Sequence, residues 1–386
     1  MRFALHTERI FTSKGINKNL FVVVSDGKVE LITETRPTDC EVIEFKEETL
    51  LPGFIDIHIH GRVGCDVMDA TAEALQTIAN ALPQTGVIAW VGTTVTAPWP
   101  DILSAISQVR TFTENKQIEG AELLGSFLEG PYFTERHRGS HPPRYLKSAT
   151  ISELEMLTEK GGSSLLRVAI APESKDAISA IKWLKKNEIK SSVAHTNATF
   201  EQITQAYHAG VDCGVHLFNG MSGLHHREPG CAGAVLYYDM LAEIIADGIH
   251  VSPVMMQLAY RMKGYKKIAL ITDCMRAGGL KDGEYRLGAQ MVNVTSGEAR
   301  TADGSLAGST CSLDHALRTM IFKGEIPEWE AVQMATSVPA NYLGIDDRLG
   351  TIAVGMDASF TLVNREFEVQ STMIKGDWTY RTNSRK

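Results

Sequence analysis

Eight short apolar runs alternate with helical-looking segments through the middle of the chain: GFIDIHIH, VIAWVGTTVT, ELLGSFLEG, LLRVAIAP, SSVAHT, VDCGVHLFN, AEIIADGIH and IALITD. Strands that are apolar almost without interruption are buried on both faces, which places them in a parallel sheet covered by helices. Eight such units within roughly 300 residues fit an α/β fold of the (β/α)8 TIM-barrel type. A doubly wound sheet is the alternative, but no Gly-rich dinucleotide turn follows the early strands. Chemically capable side chains stand at the C-terminal ends of these runs: His58 and His60, Glu129, His195, His216, His250 and Asp273. In a barrel those ends converge on one face, where active sites are built, so residues spread along most of the chain can meet in one pocket.

Both ends of the chain read differently. FVVVSDG, KVELIT and EVIEF near the start, and ASFTLVN and EVQSTMIKG near the end, are short β segments separated by turn residues. They predict a small β-sandwich domain built from residues 1–50 plus 350–386, flanking a catalytic barrel over 51–349. With 386 residues there is ample core for both. The net charge is -8, with the two signs mixed and no Lys/Arg-rich run, which argues against nucleic acid or an anionic membrane as a partner. An anionic small substrate therefore needs a local cationic pocket. MRFALHTERIF carries charges and a His where a signal peptide needs its apolar core, and no later stretch approaches a membrane span, so a soluble, cytoplasmic protein is expected. Six cysteines without CxxC spacing indicate neither a disulfide framework nor a thiolate zinc site.

His58 and His60 lie two apart on a strand, so their side chains share one face. Two imidazoles on one face suit a divalent metal; a hydrogen-bonded polar pair is the other reading. A carboxylate after an apolar run, as Glu129 is, is costly unless paired, hydrogen-bonded or metal-bound, or unless it caps the next helix. His195 and His216 end successive strands and should be neighbours at the barrel mouth. Asp273 is either a chemical base or a helix cap, and His141, between Ser140 and Pro142, either faces a ligand or sits in a solvated turn. The missing Cβ of Gly220, next to Asn219, lets backbone N–H groups approach an anion, although Asn-Gly is also a common turn. Arg227, in HHREPG, can offer a planar fork to phosphate, with His226 and His250 as further donors. LAGST, from Leu306, is by itself a small-residue turn. His6, His208 and His315 fall outside these motifs and are read as structural.

LPGFIDIHIHG, FLEGPYF, AHTNAT, VHLFNGMSGLHHREPG, ADGIHV and LITDCM together resemble the N-acetylglucosamine-6-phosphate deacetylase family of the amidohydrolase superfamily, over nearly the whole chain. The resemblance implies that Glu129, His195 and His216 hold a catalytic divalent metal, usually zinc. His58 and His60 match the pair that holds a second ion in some members, giving one or two ions per subunit. It assigns Asp273 the proton transfers, and His141 contact with the substrate carbonyl. Asn219, Gly220, Arg227 and His250 are implied substrate contacts, with phosphate binding sometimes completed across a homodimer interface. Leu306, Ala307 and Gly308 match a loop that closes on the sugar. The implied reaction is hydrolysis of the N-acetyl amide of N-acetylglucosamine 6-phosphate to glucosamine 6-phosphate and acetate, in amino-sugar catabolism. Gly220, the Pro142-Pro143 pair after His141, and Cys274 depart from the commonest pattern, and GSHPP with FNGMSGLHHREPG also resembles the N-acetylgalactosamine-6-phosphate branch. Another amidohydrolase, acting on a cyclic amide or an N-acyl amino acid, gives HHREPG no evident purpose. A non-enzymatic barrel predicts broken ligand positions, and none is broken.

Overall fold

The computed structural model describes residues 1–115 and 119–382; the last four residues of the expected terminal β domain lie outside the described residues. Four strands open the chain, β1 (Arg2–Thr12), β2 (Gly15–Ser25), β3 (Lys28–Thr33) and β4 (Glu41–Pro52). The eight apolar runs then supply β5 (Phe54–Ile59), β8 (Val87–Thr94), β9 (Glu122–Leu128), β10 (Leu165–Ala169), β11 (Lys190–Val193), β12 (Cys213–Gly214), β13 (Leu241–Ile245) and β14 (Ile268–Ile271). A short ribbon, β6 (Gly61–Arg62) and β7 (Cys65–Asp66), follows the first of them. Three strands come after the barrel run, β15 (Gly283–Leu287), β16 (Gln290–Thr295) and β17 (Glu298–Arg300), and three more end the chain, β18 (Phe360–Val363), β19 (Val369–Ile374) and β20 (Asp377–Arg381).

The eight runs form one parallel sheet in the order β14-β13-β12-β11-β10-β9-β8-β5. Its two edges meet: Ile59 bridges Cys274, Asp273 N–H donates to the His58 carbonyl at 2.9 Å, and His60 N–H donates to the Cys274 carbonyl at 2.9 Å. Every residue of β5, β8, β13 and β14 is buried, as strands enclosed on both faces must be. One core cluster takes Ile57, Val91, Phe127, Ala169, Cys213, Ile245 and Ile271 from seven of the eight strands. The helices between strands carry their start signals in the sequence. Over Phe200–Ala209, Thr199 and Gln202 form a reciprocal capping box, the Thr-x-x-Gln signature of a helix N-terminus.

The two chain ends share a separate seven-stranded sheet, ordered β20-β19-β18-β4-β1-β2-β3. In it β4 runs parallel to β1 and antiparallel to β18, and it then leads within one residue into the first barrel strand. That junction is tight: a Cβ at Gly53 would lie 2.4 Å from the Ile88 side chain, so the backbone approaches β8 more closely than any side chain allows. Leu5, Ile10, Val22, Val24, Leu50, Phe360 and Leu362 form the core of this sheet. Strands β15 to β17 make a third, three-stranded sheet that packs on Val95, Met275, Ala277 and Ala307 at the mouth of the barrel. Among the described residues no helix is long and apolar enough to cross a membrane.

Candidate metal centre and active site

Five of the polar residues that end the barrel strands surround one cavity: His60, Glu129, His195, His216 and Asp273. His141, Asn219, Gly220, His250, Leu306 and Gly308 also line it. His58 lies directly beneath, with no exposed surface. Three of these residues adopt left-handed backbone, with φ of +44° at His195, +32° at His216 and +49° at Asp273. Non-glycine residues rarely accept that conformation, at a cost of order 1 kcal/mol or more each, and such strain concentrates at functional sites. Here it turns each side chain at its strand end into the shared pocket.

Glu129 sits at the centre. Its Oε1 lies 3.0 Å from His216 Nε2 and 3.5 Å from His195 Nε2, while its Oε2 lies 3.1 Å from His60 Nε2 and 3.6 Å from His58 Nε2. Asp273 Oδ1 is 3.0 Å from His60 Nε2 and 3.4 Å from His58 Nε2. The opposite nitrogen of each imidazole is anchored. His60 Nδ1 donates to the Thr93 carbonyl at 3.1 Å, His195 Nδ1 to the His137 carbonyl at 2.9 Å, and His216 Nδ1 to the Asn219 carbonyl at 3.1 Å. Carbonyl oxygens only accept, so each of these rings carries a proton on Nδ1 and turns Nε2 toward the cluster, where its lone pair is available to a cation.

That arrangement tests whether a metal fits. The Nε2 atoms of His195 and His216 face each other at 3.2 Å, with Glu129 Oε1 beside them, and lone pairs so opposed need a shared proton or a cation. On the other side, His58 Nε2 is buried with no hydrogen-bond partner, and the buried Asp273 Oδ1 has the Nε2 atoms of His60 and His58 beside it. Imidazole and carboxylate donors in this number are the set that divalent transition ions take. Two groups meet the geometric requirement, His58, His60, Glu129 and Asp273 on one side and Glu129, His141 and His195 on the other. Glu129 belongs to both. Electrostatics agree: burial alone pushes both carboxylates up, yet the surrounding imidazoles, His58 foremost, hold Glu129 well below the usual range and Asp273 below 3.8. Burial opposes a proton on His58, but Glu129 and Asp273 outweigh it and carry that ring up to about 10. The cluster calls for positive charge.

His141 is different in kind. Its Nδ1 is 2.7 Å from Thr96 Oγ1 and its Nε2 is 3.1 Å from His195 Nε2. Burial, then the neighbouring His195, push it well below the ordinary histidine value, so it is a neutral ring at neutral pH. His250 donates from Nδ1 to Asp247 Oδ2 at 2.7 Å, which orients it at the cavity wall.

Two candidates fall elsewhere. Arg227 is exposed on the loop after Gly223, with Nη1 2.7 Å from His226 Nε2, and does not line the cavity. Ala307 is fully buried under the three-stranded sheet, with its neighbours Leu306 and Gly308 facing the pocket instead. Other neighbours of the site escaped the sequence reading. Leu287 and Val95 supply apolar wall, brought together at the β15–β16 turn, where a Cβ on Gly288 would stand 2.6 Å from Val95. Glu243, Arg167 and Asp56 are charged residues inside apolar strands; that placement was itself the available signal, since a charge in a doubly buried strand must be paired.

Comparison with known proteins agrees with this geometry. The amidohydrolase family model matches residues 49–379. N-acetylglucosamine-6-phosphate deacetylase of Vibrio furnissii is 42% identical over 328 residues, covering 85% of this chain and 82% of that protein. N-acetylgalactosamine-6-phosphate deacetylase of Escherichia coli O157:H7 is 40% identical, covering 97% of this chain and 99% of its own. The structure of N-acetyl-D-glucosamine-6-phosphate deacetylase from Mycobacterium smegmatis superposes with a TM-score of 0.93 at 28% identity, covering 98% of this chain and all of that one. By sequence and by fold, the chain belongs to the amidohydrolase family, among its N-acetylglucosamine-6-phosphate deacetylases.

Proposed function

We propose that this chain removes the acetyl group from N-acetylglucosamine 6-phosphate, releasing acetate and glucosamine 6-phosphate. The convergence of Glu129, His195, His216, Asp273 and His141 on one cavity carries this reading. Glu129, His195 and His216 would hold one divalent ion, and His58 and His60, with Glu129 between the two sides, would hold another. Zinc suits these nitrogen and oxygen donors. Such an ion supplies a water whose pKa is lowered towards about 7 and polarises the amide carbonyl. Asp273, whose buried Oδ1 lies 3.0 Å from His60 Nε2 at the cavity wall, takes the proton from the attacking water and returns it to the departing nitrogen. His141, accepting at Nδ1 from the Thr96 hydroxyl, presents Nε2–H to the carbonyl oxygen as negative charge grows there. Its neutrality lets it donate without adding a fixed charge to an already cationic site.

His250 and the Asn219-Gly220 backbone contact the sugar phosphate, with Leu306 and Gly308 closing over the ring. Arg227, exposed in one subunit, reaches a phosphate when a second copy packs against this face. Support comes from an apolar stripe nearby. Val254, Leu258 and Met262 recur at helical spacing on Pro253–Lys263 and are 70%, 44% and 55% exposed, beside the 74% exposed Tyr237. Exposed apolar side chains on two helices that pack together would form such an interface. The proposal is a homodimer working in the cytoplasm, where a phosphorylated sugar is retained.

Two predictions follow from these assignments. Arg227→Ala raises KM at least tenfold for the phosphorylated sugar and leaves the unphosphorylated one almost unchanged, measured by steady-state acetate release; equal effects on both would remove Arg227 from phosphate recognition. Replacing Val254 and Leu258 together by Glu converts the dimer to a monomer in light scattering, whereas an unchanged mass would place the interface elsewhere. The galactosamine epimer is the second reading, favoured by GSHPP and by the relative that spans 97% of the chain. The ratio of kcat/KM for the two 6-phosphates decides between them.

A further inference from the structure

We propose that Glu243, held in place by Arg167, is the positioning residue that gives the His58 side of the site its affinity for a second divalent cation. The inference rests on the reading of this cluster as a metal centre. Glu243 stands in the middle of β13, wholly buried, as is Arg167 in β10 at 1% exposure. One carboxylate oxygen, Oε1, pairs with Arg167 Nη1. Arg167 is in turn fixed by donating from Nε to Ser192 Oγ at 2.9 Å and by lying over the Phe127 ring, 3.9 Å from its centroid. The other oxygen, Oε2, is 3.1 Å from His58 Nδ1.

A carboxylate can only accept, so a proton of His58 is held on Nδ1 and Nε2 is the nitrogen turned toward Glu129 and Asp273, where its lone pair would be free for a cation that displaces the second proton. Among the four imidazoles of the centre, His60, His195 and His216 are anchored by neutral backbone carbonyls. His58 is anchored by a charged group. A carboxylate behind a ligand imidazole both fixes the ring and makes it a stronger donor, and losing such a partner typically weakens metal binding about 10- to 100-fold. The core itself gains little from this pair, because apolar residues of similar volume generally serve stability as well as a buried ion pair does. Orientation of His58 is what the pair supplies. It also explains why Nε2 of that ring is left buried without a partner inside the protein.

The test is titration of the chelator-stripped, full-length chain with Zn²⁺ by calorimetry and with Co²⁺ by visible absorption. Glu243→Gln keeps the shape but leaves Arg167 unpaired, so the double variant Arg167→Met with Glu243→Gln, which removes both charges, is measured beside it. The wild-type chain is expected to bind two equivalents. The variants should bind the first with unchanged affinity and spectrum, and the second about 10- to 100-fold more weakly. A second equivalent within about threefold of wild type in the double variant overturns the proposal, as does parallel loss of both equivalents, which is the mark of general structural damage. A wild-type chain that binds a single equivalent also overturns it while leaving the deacetylase reading intact. No binding by the wild type would instead remove the metal reading itself.

Discussion

Asp273→Asn is expected to lower kcat by about 10²- to 10⁴-fold while KM and the ion that Glu129, His195 and His216 are proposed to hold stay close to wild type. The substitution is isosteric, and the backbone at this position is pinned by Asp273 N–H to the His58 carbonyl at 2.9 Å and by Ser309 N–H to the Asp273 carbonyl at 2.7 Å. Geometry should therefore survive while the proton acceptor is lost. An amide cannot take the water proton, and nothing else in the cavity is placed to do so: the nearest imidazoles face the carboxylates, and His141 is a donor to the carbonyl in this account. The ionised state of Asp273 is also set by its surroundings, since His58 and His60 outweigh burial and hold its carboxyl below 3.8. Steady-state kinetics with metal analysis of the same sample decides the matter. Turnover within a few-fold of wild type would show that Asp273 is structural.

Glu129→Gln should have the larger effect, abolishing measurable turnover together with metal binding. Both oxygens of Glu129 are engaged, Oε1 with His195 and His216 and Oε2 with His58 and His60, so this one carboxylate joins the two halves of the centre. An amide at this position offers one weaker oxygen and turns an NH2 group toward lone pairs that need a cation. Stability supplies an independent readout. An ion bound only by the native state adds about 2.7 kcal/mol at a hundredfold excess over Kd. Zinc should accordingly raise the Tm of the stripped wild-type chain and leave that of Glu129→Gln almost unmoved. A zinc-dependent Tm rise of equal size in the variant would contradict the central place given to Glu129.

The barrel was legible because its strands are short, apolar and finished by polar residues, a pattern that survives without knowledge of tertiary contacts. His195, His216 and Asp273 could be placed at one mouth for that reason alone, since successive parallel strands bring successive C-terminal ends together. Their left-handed backbone could not be foreseen, because neither His nor Asp signals it as Gly does. Glu243, Arg167 and Asp56 were absorbed into the apolar runs that contain them; hydrophobic periodicity weighs the majority of a run, and a single internal charge does not disturb it. The β15 to β17 sheet was missed for a different reason. Its strands alternate polar and apolar residues, and only its packing on Val95 and Met275 places Leu287 at the cavity. The position of Arg227 depends on an exposed loop, which a local pattern does not encode.

Acetate release from N-acetylglucosamine 6-phosphate, by the purified chain, by the chain stripped with chelator, and by the stripped chain resupplied with zinc, tests the central claim most directly. Release is expected to be lost on stripping and restored by the ion. Absence of release from a chain shown to carry metal, or release undiminished in a chain shown to carry none, would contradict it.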